Sequence, residues 1–76
     1  MVFEKVKQIV AQQLEVDPSK VTMEAKLNED LKADSVEVVS IIMNLEAEFG
    51  MEFPYEDLEK IKTVGDAVNY IEQKKA

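Results

Sequence analysis

Residues 35–49 carry the pattern that most restricts the fold of this 76-residue chain. Val38, Ile41, Ile42, Leu45 and Phe49 fall within one arc of about 100° when placed at helical spacing. That arc is a complete core-facing stripe. Asp34 precedes it as a natural N-cap, Glu37 stands three residues later as in a capping box, and Gly50 occupies the position where helices stop. The segment therefore predicts a helix from about Ser35 to Phe49. Val36, Val39, Met43 and Ala47 remain as a second apolar stripe, centred roughly 140° from the first. A helix buried on two sides would explain them. So would an exposed apolar strip flanked by Glu37, Glu46 and Glu48, the anatomy of a partner surface, which a domain this small favours.

The remaining segments follow the same period. Val2, Phe3, Val6, Ile9, Val10 and Leu14 predict a first amphipathic helix, with Lys5, Lys7, Gln8, Gln12 and Gln13 facing water. Asp17 caps a short helical turn that starts at Pro18. From there to Ala33 the connection is long for a compact domain, and Val21, Leu27 and Leu31 are spaced to pin it to the core. Pro54 starts a short helix to about Glu59, with Tyr55, Leu58 and Ile61 as its apolar residues. Thr63 and Asp66 cap a last helix carrying Val64, Ala67, Val68 and Ile71. The expected architecture is an all-α four-helix bundle, three long helices and one short, with a long loop between the first two. No repeat, linker or composition shift divides residues 1–76, which read as a single domain.

Composition removes several kinds of chemistry. There is no cysteine and no histidine, so the chain has no thiol of its own and lacks the usual general base. No metal site is expected from the residues. An EF-hand calcium loop is absent, and a small hydrolase finds no support. The formal charge of −7 argues against nucleic acid and favours partners that present Lys and Arg. That charge is concentrated: residues 28–59 hold ten acids and one base, Lys32, whereas the flanks hold six acids and eight lysines. Met1-Val2-Phe3-Glu4 does not read as a secretory leader, and no apolar run is long enough to span a membrane; a cytoplasmic monomer is the expectation.

The acidic segment contains Glu29-Asp30-Leu31-Lys32-Ala33-Asp34-Ser35-Val36-Glu37. By position alone Ser35 is a residue of a helix first turn, where free N–H groups and the dipole favour an anion. The run closely resembles the attachment motif of acyl carrier proteins, an acidic-Asp-Leu-Gly-Ala-Asp-Ser-Leu-acidic sequence. The likeness continues through Leu45-Glu46-x-Glu48-Phe49, Glu59-Lys60-Ile61 and Thr63-Val64-Gly65-Asp66-Ala67-Val68-x-Tyr70-Ile71.

In that family the serine bears a 4'-phosphopantetheine arm whose thiol holds an acyl group. The resemblance implies that Ser35 is the attachment residue, with Asp34 and Glu37 engaging Mg²⁺ or basic residues of a phosphopantetheinyl transferase that uses coenzyme A. It implies a partner face for acyl-processing enzymes with basic surfaces, formed by Val36, Glu37, Val39, Met43, Glu46, Ala47 and Glu48. It also implies an acyl-chain groove lined by Val6, Leu27, Ile41, Leu45, Phe53, Leu58, Ile61, Ala67 and Tyr70. The chain would then be a non-catalytic carrier of acyl cargo, serving fatty-acid synthesis. A dedicated carrier for a polyketide or other secondary pathway is the nearest alternative. An unmodified acidic helical module that binds a basic partner is the alternative from another class. Val36 and Lys32 replace the family's usual leucine and glycine, and Ser40, Ala47 and Tyr55 occupy positions that are commonly acidic. Leu58 stands where alanine is frequent.

Overall fold

The computed structural model describes residues 2–75; positions 1 and 76 lie outside it. Four α-helices follow in order: α1 Val2–Leu14, α2 Ser35–Phe49, α3 Tyr55–Leu58 and α4 Val64–Lys75, with a 3-10 turn at Pro18–Lys20. No strand is present among the described residues, and the expected bundle of three long helices and one short is the observed one.

Local chemistry sets the boundaries. Asp17 accepts a hydrogen bond from the Ser19 N–H, closing the 3-10 turn behind Pro18. At the start of α2 the capping box is complete. The Glu37 N–H donates to Asp34 Oδ1 at 2.8 Å, and the Asp34 N–H donates to Glu37 Oε1 at 3.2 Å. Gly50 ends α2 in the left-handed conformation, φ 61°, at no steric cost. α4 opens on a second box, Asp66 N–H to Thr63 Oγ1 and Thr63 N–H to Asp66 Oδ2.

α1 packs against both α4 and α2. The core joins Val6 and Val10 of α1, Ile41, Ile42 and Leu45 of α2, and Val64, Val68 and Ile71 of α4. Val38 and Phe49, at the two ends of the α2 stripe, are half-buried. Burial of this kind contributes about 25 cal/mol per Å² of apolar surface removed from water, which is the main favourable term available to a chain this small.

The long connection is held as expected. Val21, Leu27 and Leu31 are buried, and Ala25 and Ala33 join them. Backbone bonds stitch it to the approach of α4: the Leu27 N–H donates to the Lys62 carbonyl at 3.0 Å and the Val64 N–H to the Ala25 carbonyl at 3.0 Å. These flank an isolated antiparallel bridge between Lys26 and Thr63. Gly65 passes so close to Met23 that a Cβ there would stand 2.8 Å from its carbonyl oxygen.

Three expectations need correction. Gln13 does not simply face water; its amide donates to Ser40 Oγ at 3.1 Å and accepts from Asn44, because α1 and α2 approach closely enough for these polar side chains to pair. Lys7 is half-buried, its ammonium 5.8 Å from the centre of the Phe3 ring, so its stem lies along the helix rather than projecting into water. Tyr55 is 82% exposed and adds nothing to the core of the short helix; Leu58 and Ile61 supply that contact.

Candidate functional site

Most residues of the 29–37 run have a traceable structural task. Asp30 Oδ2 accepts from the Lys26 N–H at 2.9 Å, while the Asp30 and Leu31 N–H groups both return to the Lys26 carbonyl. Leu31 and Ala33 plug into the core, and the Ala33 N–H bonds the Leu27 carbonyl. Lys32 lies between them at φ 61°, a left-handed backbone conformation. That geometry accounts for the glycine that the related motif carries at this place. Asp34 and Glu37 then cap α2. One oxygen of each carboxylate is committed to the backbone, which leaves the other open to solvent.

What these contacts leave over is Ser35. It is the first residue of α2, exposed, and among the described residues its hydroxyl takes part in no hydrogen bond. A groove of about 870 Å³ opens beside it. Val38, Val39, Leu58 and Ile61 form its apolar lining, with Tyr55 at one side. Lys26, Asn28, Glu29, Glu59 and Lys62 form a polar rim. Such a volume is in the range of sites for small organic groups. A second depression, about 670 Å³, lies between α1 and α2 near Gln13 and Asn44, and Ser35 is not part of it.

The α2 strip is exposed. Val36 is 76%, Met43 62% and Val39 47% accessible, and Ala47 is exposed with them. The acids around it differ in their freedom. Glu46 is half-buried and its Oε2 accepts from the Phe53 N–H at 2.7 Å, while Glu48 forms an exposed ion pair with Lys5 at 3.6 Å. Glu37 serves the cap.

Of the nine residues assigned to an acyl groove, only Leu58 and Ile61 line the opening at Ser35. Val6, Leu27, Ile41, Leu45, Phe53 and Ala67 are buried in the close-packed core. Tyr70 is half-buried: its ring stacks on Phe53 with centroids 4.8 Å apart, and its hydroxyl reaches Asp57 at 2.7 Å. No local pattern marks Asn28, Lys62 or Tyr55 for the groove, since tertiary placement alone brings them there. No group of acids that could hold a metal ion occurs among the described residues.

Known proteins match this arrangement along nearly its whole length. The family described as "Phosphopantetheine attachment site" matches residues 4–71. An acyl carrier protein of Thermotoga maritima is 55% identical over 73 residues, spanning 96% of this chain and 90% of that one. This chain belongs to the acyl carrier protein family. An acyl carrier protein of Clostridium acetobutylicum is 54% identical, over 93% of this chain and 92% of that one. A solved structure concerned with the thermal stability of the Enterococcus faecalis acyl carrier protein superposes with a TM-score of 0.78 at 43% identity, covering 92% of this chain and 89% of the other.

As a member of this family, the chain carries acyl groups on a 4'-phosphopantetheine arm. The arm supplies the thiol that the sequence lacks, and so makes thioester chemistry available. The residues fit such a group: Ser35 offers an unengaged hydroxyl, and the adjoining groove combines an apolar lining with a polar rim. No helix is long and apolar enough to cross a membrane among the described residues.

Proposed function

We propose that Ser35 is the residue that bears the arm, and that the chain carries intermediates of fatty-acid synthesis. The observation that carries this is the Ser35 hydroxyl, exposed and unpaired at the first residue of α2, in a segment whose other contacts serve to hold that position. A phosphodiester there would lie where helix N–H groups and the dipole stabilise negative charge. The surrounding carboxylates oppose it, and an enzyme that brings Mg²⁺ or basic side chains relieves that repulsion. No side chain beside Ser35 has to act as its base, because a phosphopantetheinyl transferase using coenzyme A does that work. The protein is then a substrate and a carrier.

Val36, Val39, Met43 and Ala47 form the face on which acyl-processing enzymes with basic surfaces dock, steered by the acidic segment around it. Leu58 and Ile61 are the first core residues that an acyl chain meets from Ser35, and the deeper residues admit it by parting α3 from the core. Leu58, larger than the alanine frequent at this position, favours shorter cargo. The cytoplasm is the compartment proposed for this work.

The test is the intact mass after incubation with coenzyme A, Mg²⁺ and a phosphopantetheinyl transferase. A phosphopantetheine-sized gain that vanishes in Ser35→Ala supports the assignment; a gain that survives in Ser35→Ala removes it. Acyl groups identified on protein isolated from its own cell decide the pathway. A dedicated secondary-pathway carrier remains the second reading because Ser40 is turned to Gln13 and Ala47 is neutral, which leaves a less charged face than the family usually presents.

A further inference from the structure

We infer that the rim of the groove beside Ser35 holds the arm itself, through its amide groups, with the Lys62 ammonium and the Asn28 carboxamide as the binding side chains. This rests on Ser35 as the attachment residue. Lys62 and Asn28 both line the groove and are exposed, and among the described residues neither side chain has a hydrogen-bond or ion-pair partner. Lys26, on the same rim, differs: its ammonium is 3.6 Å from Glu29 Oε2.

The backbone of Lys62 is fixed on both sides. Its N–H donates to Asp66 Oδ2 at 3.0 Å and its carbonyl accepts from Leu27 at 3.0 Å. A free cationic side chain therefore projects from a clamped anchor. Asn28 sits in the loop that Leu27 and Leu31 tie down.

The chemistry selects the occupant. An ammonium donates and cannot accept; a carboxamide does both, which makes it the natural complement of a secondary amide. An acyl chain has no use for such a rim, whereas the arm carries two secondary amides and a hydroxyl along its length. Val38, Val39, Leu58 and Ile61 below the rim suit the apolar parts of the same group. The rim thus parks the arm against the protein between encounters.

The experiment compares the apo protein, the protein loaded with the free-thiol arm, and two loaded variants, Asn28→Ala/Lys62→Ala and Lys62→Gln. Mass first shows that loading occurred; failure there concerns the attachment residue, not this inference. In the loaded wild type the side-chain amide signals of Asn28 and the resonances of Lys62 shift from their apo positions. The arm thiol reacts with iodoacetamide more slowly than in the double alanine variant, by about two- to tenfold, the range that loss of one or two exposed hydrogen bonds produces. Rates are compared at equal thiolate fraction. Lys62→Gln keeps a donor without the charge and stays near wild type. Unchanged Asn28 and Lys62 signals, together with equal thiol reactivity in all loaded forms, would overturn the inference. So would Lys62→Gln matching the double variant, since that result makes charge rather than hydrogen bonding responsible.

Discussion

The Tyr70 hydroxyl donates a 2.7 Å hydrogen bond to Asp57 Oδ2, joining the last helix to the short one that borders the groove. Asp57 also lies 3.7 Å from the Lys60 ammonium, and the Tyr70 ring stacks on Phe53. α3 has only four residues and cannot hold itself as a helix in water. Its position depends on ties of this kind.

The bond has a signature in pH. Chiefly because the phenol donates to the Asp57 carboxylate, with desolvation and the charges of Asp57 and Glu56 adding to it, the Tyr70 pKa is pushed up to about 12 from 10.0. A folded-state pKa above the unfolded one gives stability that is complete below pH about 10 and lost as pH rises through about 12. Phenolate absorbance should show one tyrosine titrating near the upper value. Asp57→Asn should bring it down toward the ordinary value, and Tyr70→Phe should flatten the fall in stability across that window.

Asp34 separates cap from charge. Asn caps a helix as well as Asp does, whereas Ala loses the cap at a cost of about 1 kcal/mol. Asp34→Asn should therefore melt like wild type but load with phosphopantetheine more slowly. Asp34→Ala should lose about 1 kcal/mol of stability and also load more slowly. Chemical denaturation and loading kinetics, measured side by side, check the pair; unchanged loading in Asp34→Asn removes its role toward the transferase.

Lys32 holds a left-handed backbone that costs a side-chain-bearing residue about 1–2 kcal/mol, partly offset in glycine by greater unfolded-state freedom. Lys32→Gly should raise stability by up to about 1 kcal/mol in urea melts. Gly65→Ala should do the reverse by about 1–3 kcal/mol, because the new Cβ meets the Met23 carbonyl and one of the two backbones must shift.

The two faces of α2 should answer differently to substitution. Leu45→Ala empties a fully buried position and should cost about 2–5 kcal/mol. Val39→Asp and Met43→Asp alter exposed positions and should change stability by no more than about 0.5 kcal/mol. They should nevertheless raise the transferase KM severalfold. Steady-state loading kinetics make the comparison, and an unchanged KM would remove the strip from the docking face.

Leu58→Ala should shift the acyl-chain length that best stabilises the loaded protein toward longer chains. Thermal melts of a series of acyl forms read this directly, and identical profiles for variant and wild type would refute it.

The helices were legible in the sequence because their determinants are local. Apolar period, caps at Asp34 and Thr63, and the stop at Gly50 each act within a turn or two of the residues they govern. The exposed strip was legible too, as apolar residues that one core stripe could not absorb. Long-range contacts left no such trace. Gln13 reads as a surface residue until Ser40 and Asn44 arrive from another helix, 27 and 31 positions away. Tyr55 reads as core by its hydrophobicity, yet on a four-residue helix it has no neighbour to cover it. The backbone bridge between Lys26 and Thr63 uses no side-chain pattern at all. The candidate serine stood in a local motif and could be found; the groove, drawn from the three separated segments 26–29, 35–39 and 55–62, could not.

That bridge also sets an order of events. The loop that delivers Ser35 takes two of its backbone hydrogen bonds from Lys62 and Val64, so the presenting segment is complete only once the start of the last helix is in place. Until those partners are in place the capping box can form, but the platform beneath it lacks its far-side ties. Contacts of such sequence separation close late. Loosening either backbone tie should therefore loosen the loop around Ser35, although the serine lies some thirty residues away from the start of the last helix.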